Sequence, residues 1–351
     1  MRVAVLGATG LVGREMLLTL EQRRFPVNDL VPLASSRSAG RKVTFAGEDL
    51  VVREVCPEAF SNVDVAIFSA GGEASRSWAP EAVRRGAVVI DNSSAWRMDP
   101  GVPLVVPEVN PGALKGHAGI IANPNCATIL AVMVLKPLHD AAGLRKFSAV
   151  TFQAVSGTGK AAVKELLDNS RAVVSGGVEG VTEVYPHDIA FNVLPHIGSF
   201  DEDGVSDEEW KMVRESKKIL GLPGIEVRCT ATRVPVFRGH SEAIWADFEK
   251  NIHPDEARRI LQTAPGVAVV DDPGRSLYPL ARNAEERDEV FAGRIRRDTG
   301  DGNGLMMWVV SDNLRKGAAL NAVQIAELLG GMESRPGEGR SDAVTMAQKL
   351  N

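Results

Sequence analysis

The start of the chain constrains the fold more than any other stretch. Val3–Leu6 is a short, continuously apolar run, which is typical of a buried strand in a parallel sheet. It leads into the pattern G-x-x-G-x-x-G at Gly7–Gly13, and the residues at 14–22 favour a helix. Glycines let a backbone approach a pyrophosphate, and a helix N terminus donates N–H groups to it. The sequence therefore predicts a Rossmann-type dinucleotide-binding domain, because strand, glycine turn and helix stand in the required order.

The end of the second predicted strand indicates which dinucleotide binds. Leu30–Ala34 has the composition of that strand. Binders of the unphosphorylated cofactor usually carry Asp or Glu at its end, but this chain has Ser36, Arg37 and Ser38. Hydroxyls and a cation suit the 2′-phosphate of NADP, which a carboxylate would repel. For Arg37 taken alone, a solvated polar loop is the other interpretation.

A cysteine stands at a sharp junction between a strand and a helix. The apolar run at 120–122 is broken by Asn123–Asn125, and residues 127–138 favour a helix. Cys126 would lie on the first turn of that helix, where free N–H groups and the helix dipole favour an anion. We expect its pKa to lie below the ordinary value of about 8.5, which would make it a nucleophile. The alternative is a buried cysteine that acts as a small hydrophobe.

Length and charge exclude several classes of protein. The chain has 351 residues, a length for which two domains are usual, and its formal net charge of −5 argues against a nucleic-acid partner. No apolar run approaches the about 20 residues of a membrane helix, and the chain start lacks the core of a signal peptide. Three cysteines at unrelated spacings form no disulfide framework. We expect a cytoplasmic protein without a membrane partner, and no metal-ligand spacing predicts a metal.

Further strands extend the first sheet. We expect them at 63–69, 88–91 and 104–106, and a helix at 73–85 that Pro80 kinks or breaks. Arg97 follows the strand at 88–91. From this stretch alone, Arg97 could equally be a residue that binds an anion or a residue on the surface.

One helix of the second half carries paired charges. Residues 206–220 favour a helix, and Ser206 with Glu209 predicts a capping box at its start. Glu208 and Lys211 lie three residues apart on one face. An exposed ion pair is the ordinary interpretation of that spacing.

The second half also predicts a mixed sheet. Residues 149–155, 225–237 and 242–248 alternate as strands, and the last two form a hairpin-like unit flanked by Arg233 and His240. A lone histidine is most often structural, but His240 stands in a loop, where catalytic residues concentrate.

A dinucleotide fold, a reactive cysteine and a histidine together suit the oxidation of an aldehyde. The thiolate adds to the carbonyl, hydride passes to the nicotinamide, and a thioester remains for another nucleophile to release. If that nucleophile is phosphate, the site needs cations. Arg97, Lys211 and Arg233 are candidates.

Eight motifs, in one order, resemble those of the aspartate-semialdehyde dehydrogenase family over about residues 1–330. They are GATGLVG (7–13), SAGG (69–72), DNSSAWRMD (91–99), NPNC (123–126), FQAVSGTG (152–159), EEWKM (208–212), TRVPVFRGHS (232–241) and SDNLRKGAALNAVQIAELL (311–329). The resemblance implies reversible, NADP-dependent reductive dephosphorylation of L-aspartyl-4-phosphate to L-aspartate-4-semialdehyde. That step serves lysine, methionine and threonine synthesis.

The resemblance also assigns roles to residues. Cys126 matches the nucleophile, His240 the general acid/base and Gln153 the residue that orients the substrate. Arg233 matches the group that holds the substrate α-carboxylate, and Glu208 the one that faces its amino group. The phosphate site corresponds to Arg97, Asn125 and Lys211. The cofactor contacts correspond to Gly7, Thr9, Gly10, Leu11, Val12, Gly13, Ser36, Arg37, Ser38, Ser156, Gly157 and Asn313.

The family pattern implies a homodimer of α/β subunits. We expect an NADP-binding domain at 1–127 and 314–330, and an α+β catalytic and dimerisation domain with a mixed sheet at 128–313. The tail at 331–351 has no counterpart in the pattern. The alternatives are an enzyme like N-acetyl-glutamyl-phosphate reductase and an inactive nucleotide-binding paralogue.

Overall fold

The computed structural model describes residues 1–177, 182–300 and 303–331, so the tail expected at 331–351 lies, except for Gly331, outside the described residues. Two six-stranded sheets organise the described chain, one in each half. None of the helices in these ranges is long and apolar enough to cross a membrane.

The first sheet is parallel throughout, in the order β5-β2-β1-β6-β7-β8. Its strands are β1 (Arg2–Leu6), β2 (Asp29–Ala34), β5 (Arg53–Glu54), β6 (Val65–Phe68), β7 (Val88–Asp91) and β8 (Ile120–Ala122). A separate hairpin consists of β3 (Lys42–Phe45) and β4 (Glu48–Val51). The central strands are almost wholly apolar because helices cover both faces of the sheet.

One predicted strand and one predicted helix break do not occur in this half. Residues 104–106 do not form a strand, since Leu104 makes only an isolated bridge to Ala122. Of the two outcomes predicted for Pro80, the break is wrong, because a single helix runs over Gly72–Arg84 with Pro80 inside it.

The second sheet is mixed, in the order β10-β9-β11-β14-β13-β12. Its strands are β9 (Leu144–Gln153), β10 (Glu226–Arg233), β11 (His240–Phe248), β12 (Val267–Val269), β13 (Val290–Arg297) and β14 (Gly304–Ser311). The predicted hairpin is wrong, because β9 lies between β10 and β11, parallel to the first and antiparallel to the second. This insertion brings Gln153, Arg233 and His240 to one end of the sheet.

Helices cover the sheets and join the two halves. They are α1 (Leu11–Gln22), α2 (Gly72–Arg84), α3 (Cys126–Ala142), α4 (Lys160–Val174), α5 (Asp207–Leu220), α6 (Pro254–Thr263), α7 (Ala281–Ala284) and α8 (Leu320–Leu329). α3 is apolar on nearly every side because it packs into the core of the second sheet. The capping box of Ser206 and Glu209 on α5 is confirmed.

The end of the described chain returns to the first half, as predicted. A π-helical turn at Arg315–Ala319 precedes α8, whose buried residues pack with those of the first sheet. Asn321 on α8 donates to Asn123 Oδ1 at 2.6 Å and to the Val105 carbonyl at 2.9 Å. The C-terminal segment is thereby bonded to the Asn-Pro-Asn turn that precedes Cys126.

Candidate active site

Cys126 is the first residue of α3, directly after the N-cap Asn125. The Asn125 side chain accepts the N–H groups of Ala127 at 3.0 Å and Thr128 at 3.2 Å. This cap explains the sharp end of the preceding turn, since an Asn side chain satisfies N–H donors that the helix leaves free. The Ala127 N–H also contacts the Cys126 sulfur, which by itself lowers the pKa of the thiol.

The pKa of the Cys126 thiol is raised to about 12, which is opposite to the lowered value expected from the sequence. Burial is the main cause and the Glu208 carboxylate adds to it, whereas Arg233 and Arg97 act in the opposite direction. Desolvation disfavours the charged form, and here it outweighs the helix N terminus. The thiol is therefore neutral in this environment, and it needs a base or a further positive charge before it can attack.

His240 is fully buried at the start of β11. Its Nδ1 accepts the Ala154 N–H at 3.1 Å, so the neutral ring carries its proton on Nε2. Burial and the Arg233 guanidinium lower the pKa of His240 to about 3, which keeps the ring neutral. Nε2 has no partner among the described residues, so it is a buried donor available to a ligand.

Glu208 connects three of the predicted site residues. Its Oε1 accepts Asn125 Nδ2 at 2.8 Å and Gln153 Nε2 at 3.0 Å, and its Oε2 accepts Lys211 Nζ at 2.9 Å. Burial alone would raise the pKa of Glu208, but Lys211, Asn125 and Gln153 lower it to about 2. The spacing of Glu208 and Lys211 suggests an exposed ion pair, but Glu208 is instead a buried carboxylate that accepts three hydrogen bonds.

Arg233 ends β10 beside the histidine. Its Nη1 donates to the Ala154 carbonyl at 2.7 Å, while its Nε is buried without a partner in the described chain. A Cβ on Gly157 would lie 3.2 Å from Arg233 Nη1 and 3.4 Å from His240 Nε2, so this glycine lies against both groups. The loop after β9, the end of β10 and the start of β11 therefore meet at one point.

Arg97 is buried, which rules out the interpretation as a surface residue. It donates to the Asn123 carbonyl at 2.9 Å, to the Asn92 carbonyl at 2.7 Å and to Glu215 Oε1 at 3.0 Å. These contacts use three of the five N–H groups of the guanidinium. Two remain for an anion close to Cys126.

The glycine turn fits a dinucleotide. A Cβ on Gly7, where φ is +90°, would lie 2.3 Å from the Ser69 carbonyl oxygen, and a Cβ on Gly13 would lie 2.1 Å from the Gly7 carbonyl oxygen. The turn between β1 and α1 is so tightly packed at these two positions that only glycine, which has no Cβ, fits there. The N terminus of α1 begins with Leu11 and Val12 after Thr9 and Gly10, and it has neither a side-chain cap nor an acidic residue in its first turn. Its N–H groups are thus available to a pyrophosphate.

The remaining cofactor candidates fall into two groups. Ser36 and Arg37 are exposed after β2 and Ser38 is half-buried next to them. Asn313 and Ser156 are buried and bonded to each other, with Asn313 Nδ2 donating to Ser156 Oγ at 2.9 Å. Asn313 Oδ1 also accepts the Gly239 N–H at 2.9 Å, which fixes the loop directly before His240.

Three residues at the site were missed from the sequence. Glu215 bonds Arg97 and Asn125, and its spacing of seven residues from Glu208 was a usable signal. Glu242 follows His240 on β11, fully buried, with neither carboxylate oxygen partnered in the described chain. A Cβ on Gly317 would lie 2.8 Å from Cys126 Cβ. Nothing local in the sequence marks the last two.

The nucleotide-binding sheet, the second domain and the thiol of Cys126 at the start of α3 define a two-domain oxidoreductase that uses a nicotinamide dinucleotide. Two family models match the chain, "Semialdehyde dehydrogenase, NAD binding domain" over residues 2–117 and "Semialdehyde dehydrogenase, dimerisation domain" over residues 135–316. The aspartate-semialdehyde dehydrogenase of Aquifex aeolicus is 54% identical over 331 residues, which cover 93% of this chain and 97% of that protein. The chain belongs to the aspartate-semialdehyde dehydrogenase family.

Solved structures agree with this assignment. Aspartate semialdehyde dehydrogenase II from Vibrio cholerae, complexed with ASA, superposes with a TM-score of 0.91 at 44% identity and covers 94% of this chain and 98% of its own. The enzyme from Candida albicans, solved with NADP, has a TM-score of 0.73 at 29% identity and covers 94% of this chain and 98% of its own.

Proposed function

We propose that this protein catalyses the reversible, NADP-dependent reductive dephosphorylation of L-aspartyl-4-phosphate to L-aspartate-4-semialdehyde in lysine, methionine and threonine synthesis. One observation carries the proposal. Two buried N–H groups without partners in the described chain, Arg233 Nε and His240 Nε2, lie at the same point as a buried carboxylate network and the thiol of Cys126. Unpaired buried donors are costly, so they are expected where a ligand supplies the acceptors.

The charges of the site complement a zwitterion that also bears phosphate. Arg233 suits the substrate α-carboxylate, since a guanidinium binds a carboxylate through two parallel hydrogen bonds. Glu208, held ionised, suits the free α-amino group. Arg97, Asn125 and Lys211 suit the phosphate, and Gln153 is placed to orient the reacting carbonyl.

Covalent catalysis by Cys126 follows from this placement. The sulfur attacks the acyl phosphate, the carbon–sulfur bond forms, and the carbon–oxygen bond to phosphate breaks, which leaves a thioester, while the thiol proton passes by way of His240 to the departing phosphate. The nicotinamide cofactor, when bound, supplies the hydride that reduces this thioester. The oxyanion then collapses to the aldehyde as the carbon–sulfur bond breaks, and one proton from solvent, passed on by the protonated His240 ring, neutralises the thiolate.

The two shifted pKa values require help from the ligands. A neutral thiol beside a neutral imidazole does not ionise by itself at neutral pH. A bound phosphate would raise the pKa of His240, because an anion favours the protonated ring. The ring would then act as acid for the departing phosphate, and in the reverse direction as base.

The preference for NADP is part of the proposal. Arg37 is exposed after β2, where it is free to meet a 2′-phosphate, and no carboxylate stands beside it in the Ser36–Ser38 turn. The Candida albicans relative solved with NADP has the same fold.

A homodimer is also part of the proposal. The matched dimerisation domain spans the second sheet, whose outer face carries a half-buried apolar patch. The patch includes Phe152 and Trp308, whose ring centroids are 5.4 Å apart, together with Val150 and Trp245. A monomeric mass in light scattering would contradict this pairing.

We further infer a cytoplasmic location for the protein, since the proposed acyl-phosphate substrate and NADPH are intracellular metabolites.

The test is an assay of NADPH formation by the purified protein with L-aspartate-4-semialdehyde and phosphate. The control substrate is N-acetyl-glutamate semialdehyde, in which acetylation removes the positive charge that Glu208 is proposed to meet. Turnover of the first and not of the second is expected. The reverse preference would replace the proposed substrate, and turnover of neither would favour an inactive paralogue.

A further inference from the structure

The helix α5 presents four charged residues of alternating sign on one face. Glu208, Lys211, Glu215 and Lys218 are spaced three, four and three residues apart, which places them in one row along a helix. The first pair belongs to the site already described. The second pair touches no substrate group in the proposed function, yet Glu215 is 1% exposed and has two partners in the site.

Glu215 joins two phosphate-site residues that are far apart in the chain. Its Oε1 accepts Arg97 Nη1 at 3.0 Å, and its Oε2 accepts the backbone N–H of Asn125 at 2.7 Å. Asn125 directly precedes Cys126. One buried carboxylate therefore sets the distance between the guanidinium and the backbone from which the nucleophile projects.

Lys218 fixes the same arginine from its other side. Its Nζ donates to the carbonyl oxygens of Arg97 at 2.8 Å, Asp99 at 2.7 Å and Val102 at 2.8 Å. These contacts use all three N–H groups of the ammonium. They hold the loop that carries Arg97 against α5.

Charge alone does not explain Glu215. A carboxylate beside an arginine that must bind phosphate offsets part of the positive charge, and burying the ion pair is itself costly. The compensating gain is orientation, since a guanidinium held at three of its five donors presents the other two in a fixed plane.

We propose that Glu215 and Lys218 are positioning residues for the phosphate half of the reaction, and that they act by orienting the phosphate-site residues Arg97 and Asn125. The inference rests on the proposed function. It predicts that damage to either residue weakens phosphate use and leaves the formation of the thioester largely intact.

The experiment separates the two half-reactions. Semialdehyde and NADP without phosphate should give a burst of one NADPH per site, which reports thioester formation. Added phosphate then gives turnover and its KM. For Glu215→Gln we expect the KM for phosphate to rise about tenfold, because the amide keeps only one acceptor and turns a donor toward Arg97 or Asn125. The burst rate should stay within about threefold.

A matched pair of lysines on the same helix gives a second measurement. Lys218→Met should raise the KM for phosphate in the same way, whereas Lys217→Met, with the same loss of charge and no described side-chain contact, should not. This pair decides the question if Glu215→Gln does not fold. A KM for phosphate that is unchanged or lower in folded Glu215→Gln and Lys218→Met, or a burst that falls together with phosphate use, would overturn the proposal.

Arg97→Lys distinguishes this failure from a failure of the proposed function. If Arg97→Lys raises the KM for phosphate and the α5 variants do not, only the positioning role is lost. If Arg97→Lys leaves that KM unchanged, the phosphate site itself is wrong, and the positioning role is wrong with it.

Discussion

The site has two parts that differ in composition: one consists of backbone groups and the other of buried side chains. In the first half, the proposed dinucleotide site is made of backbone groups, with a glycine turn and the uncapped N terminus of α1 within one short stretch of chain. Where the second sheet meets α3 and α5, buried polar side chains from distant segments meet, as when Asn125 and Glu208 bond across 83 residues of sequence. A backbone site is local and leaves a motif, whereas a side-chain site depends on the whole fold.

The largest expected effect lies in the part of the site that is built from side chains. Cys126→Ser should reduce turnover by about 10⁴-fold and abolish the burst of NADPH, because a hydroxyl is a far weaker nucleophile than a thiol assisted by the same site. Stopped-flow absorbance of NADPH checks this. Turnover within tenfold of the parent protein would rule out covalent catalysis.

Glu208→Ala tests whether the buried carboxylate network serves the substrate. Removing the anion should raise the KM for the semialdehyde about thirtyfold, which corresponds to about 2 kcal/mol for a hydrogen bond to a charged group. Steady-state kinetics measure it. The KM for NADP should hardly change, and an unchanged KM for the semialdehyde would remove the role assigned to Glu208.

Gly13→Ala tests the backbone site in the first half. The new Cβ would lie 2.1 Å from the Gly7 carbonyl oxygen, so strand and helix must separate at a cost of about 1–3 kcal/mol in the free energy of unfolding. Gly112→Ala is the control, since its Cβ would meet no atom within 4 Å. Urea unfolding compares the two, and equal stabilities would show that the turn is not tightly packed.

Glu242→Gln tests the unpaired carboxyl on β11. Burial raises the pKa of Glu242 well above its ordinary value, so above pH 4.5 the folded protein keeps a proton that the unfolded chain loses. The parent protein should therefore lose stability as pH rises, by at most about 1.4 kcal/mol per pH unit from this group.

The glutamine variant cannot lose this proton. Its stability relative to the parent should rise between pH 5 and 7, as measured by urea unfolding at each pH. Parallel pH profiles for the two proteins would show that Glu242 is ionised in the folded state.

The smallest effect is expected at the edge of the first half. Arg37→Ala should lower the ratio of kcat/KM for NADP to that for NAD by about tenfold, because one exposed cation contributes little in water. Arg41→Ala, an exposed arginine a few residues along, is the control. If both variants keep the parent ratio, the preference for NADP does not depend on Arg37.

The same contrast explains what the sequence could predict. The glycine turn and the capping box of Ser206 and Glu209 are visible because each depends on neighbouring residues. The pairing of β10 with β9 was missed because the partner strand lies far away in the chain. The pKa of Cys126 was expected in the wrong direction, since helix position is local but burial and Glu208 are not.

The contact of Gly317 with Cys126 has a consequence for how the protein is made. Cys126 is translated well before the turn that packs against it, which belongs to the last described segment of the chain. During synthesis, the thiol stays without this cover until the segment around Gly317 has left the ribosome. A product truncated before Gly317 would therefore carry an uncovered sulfur.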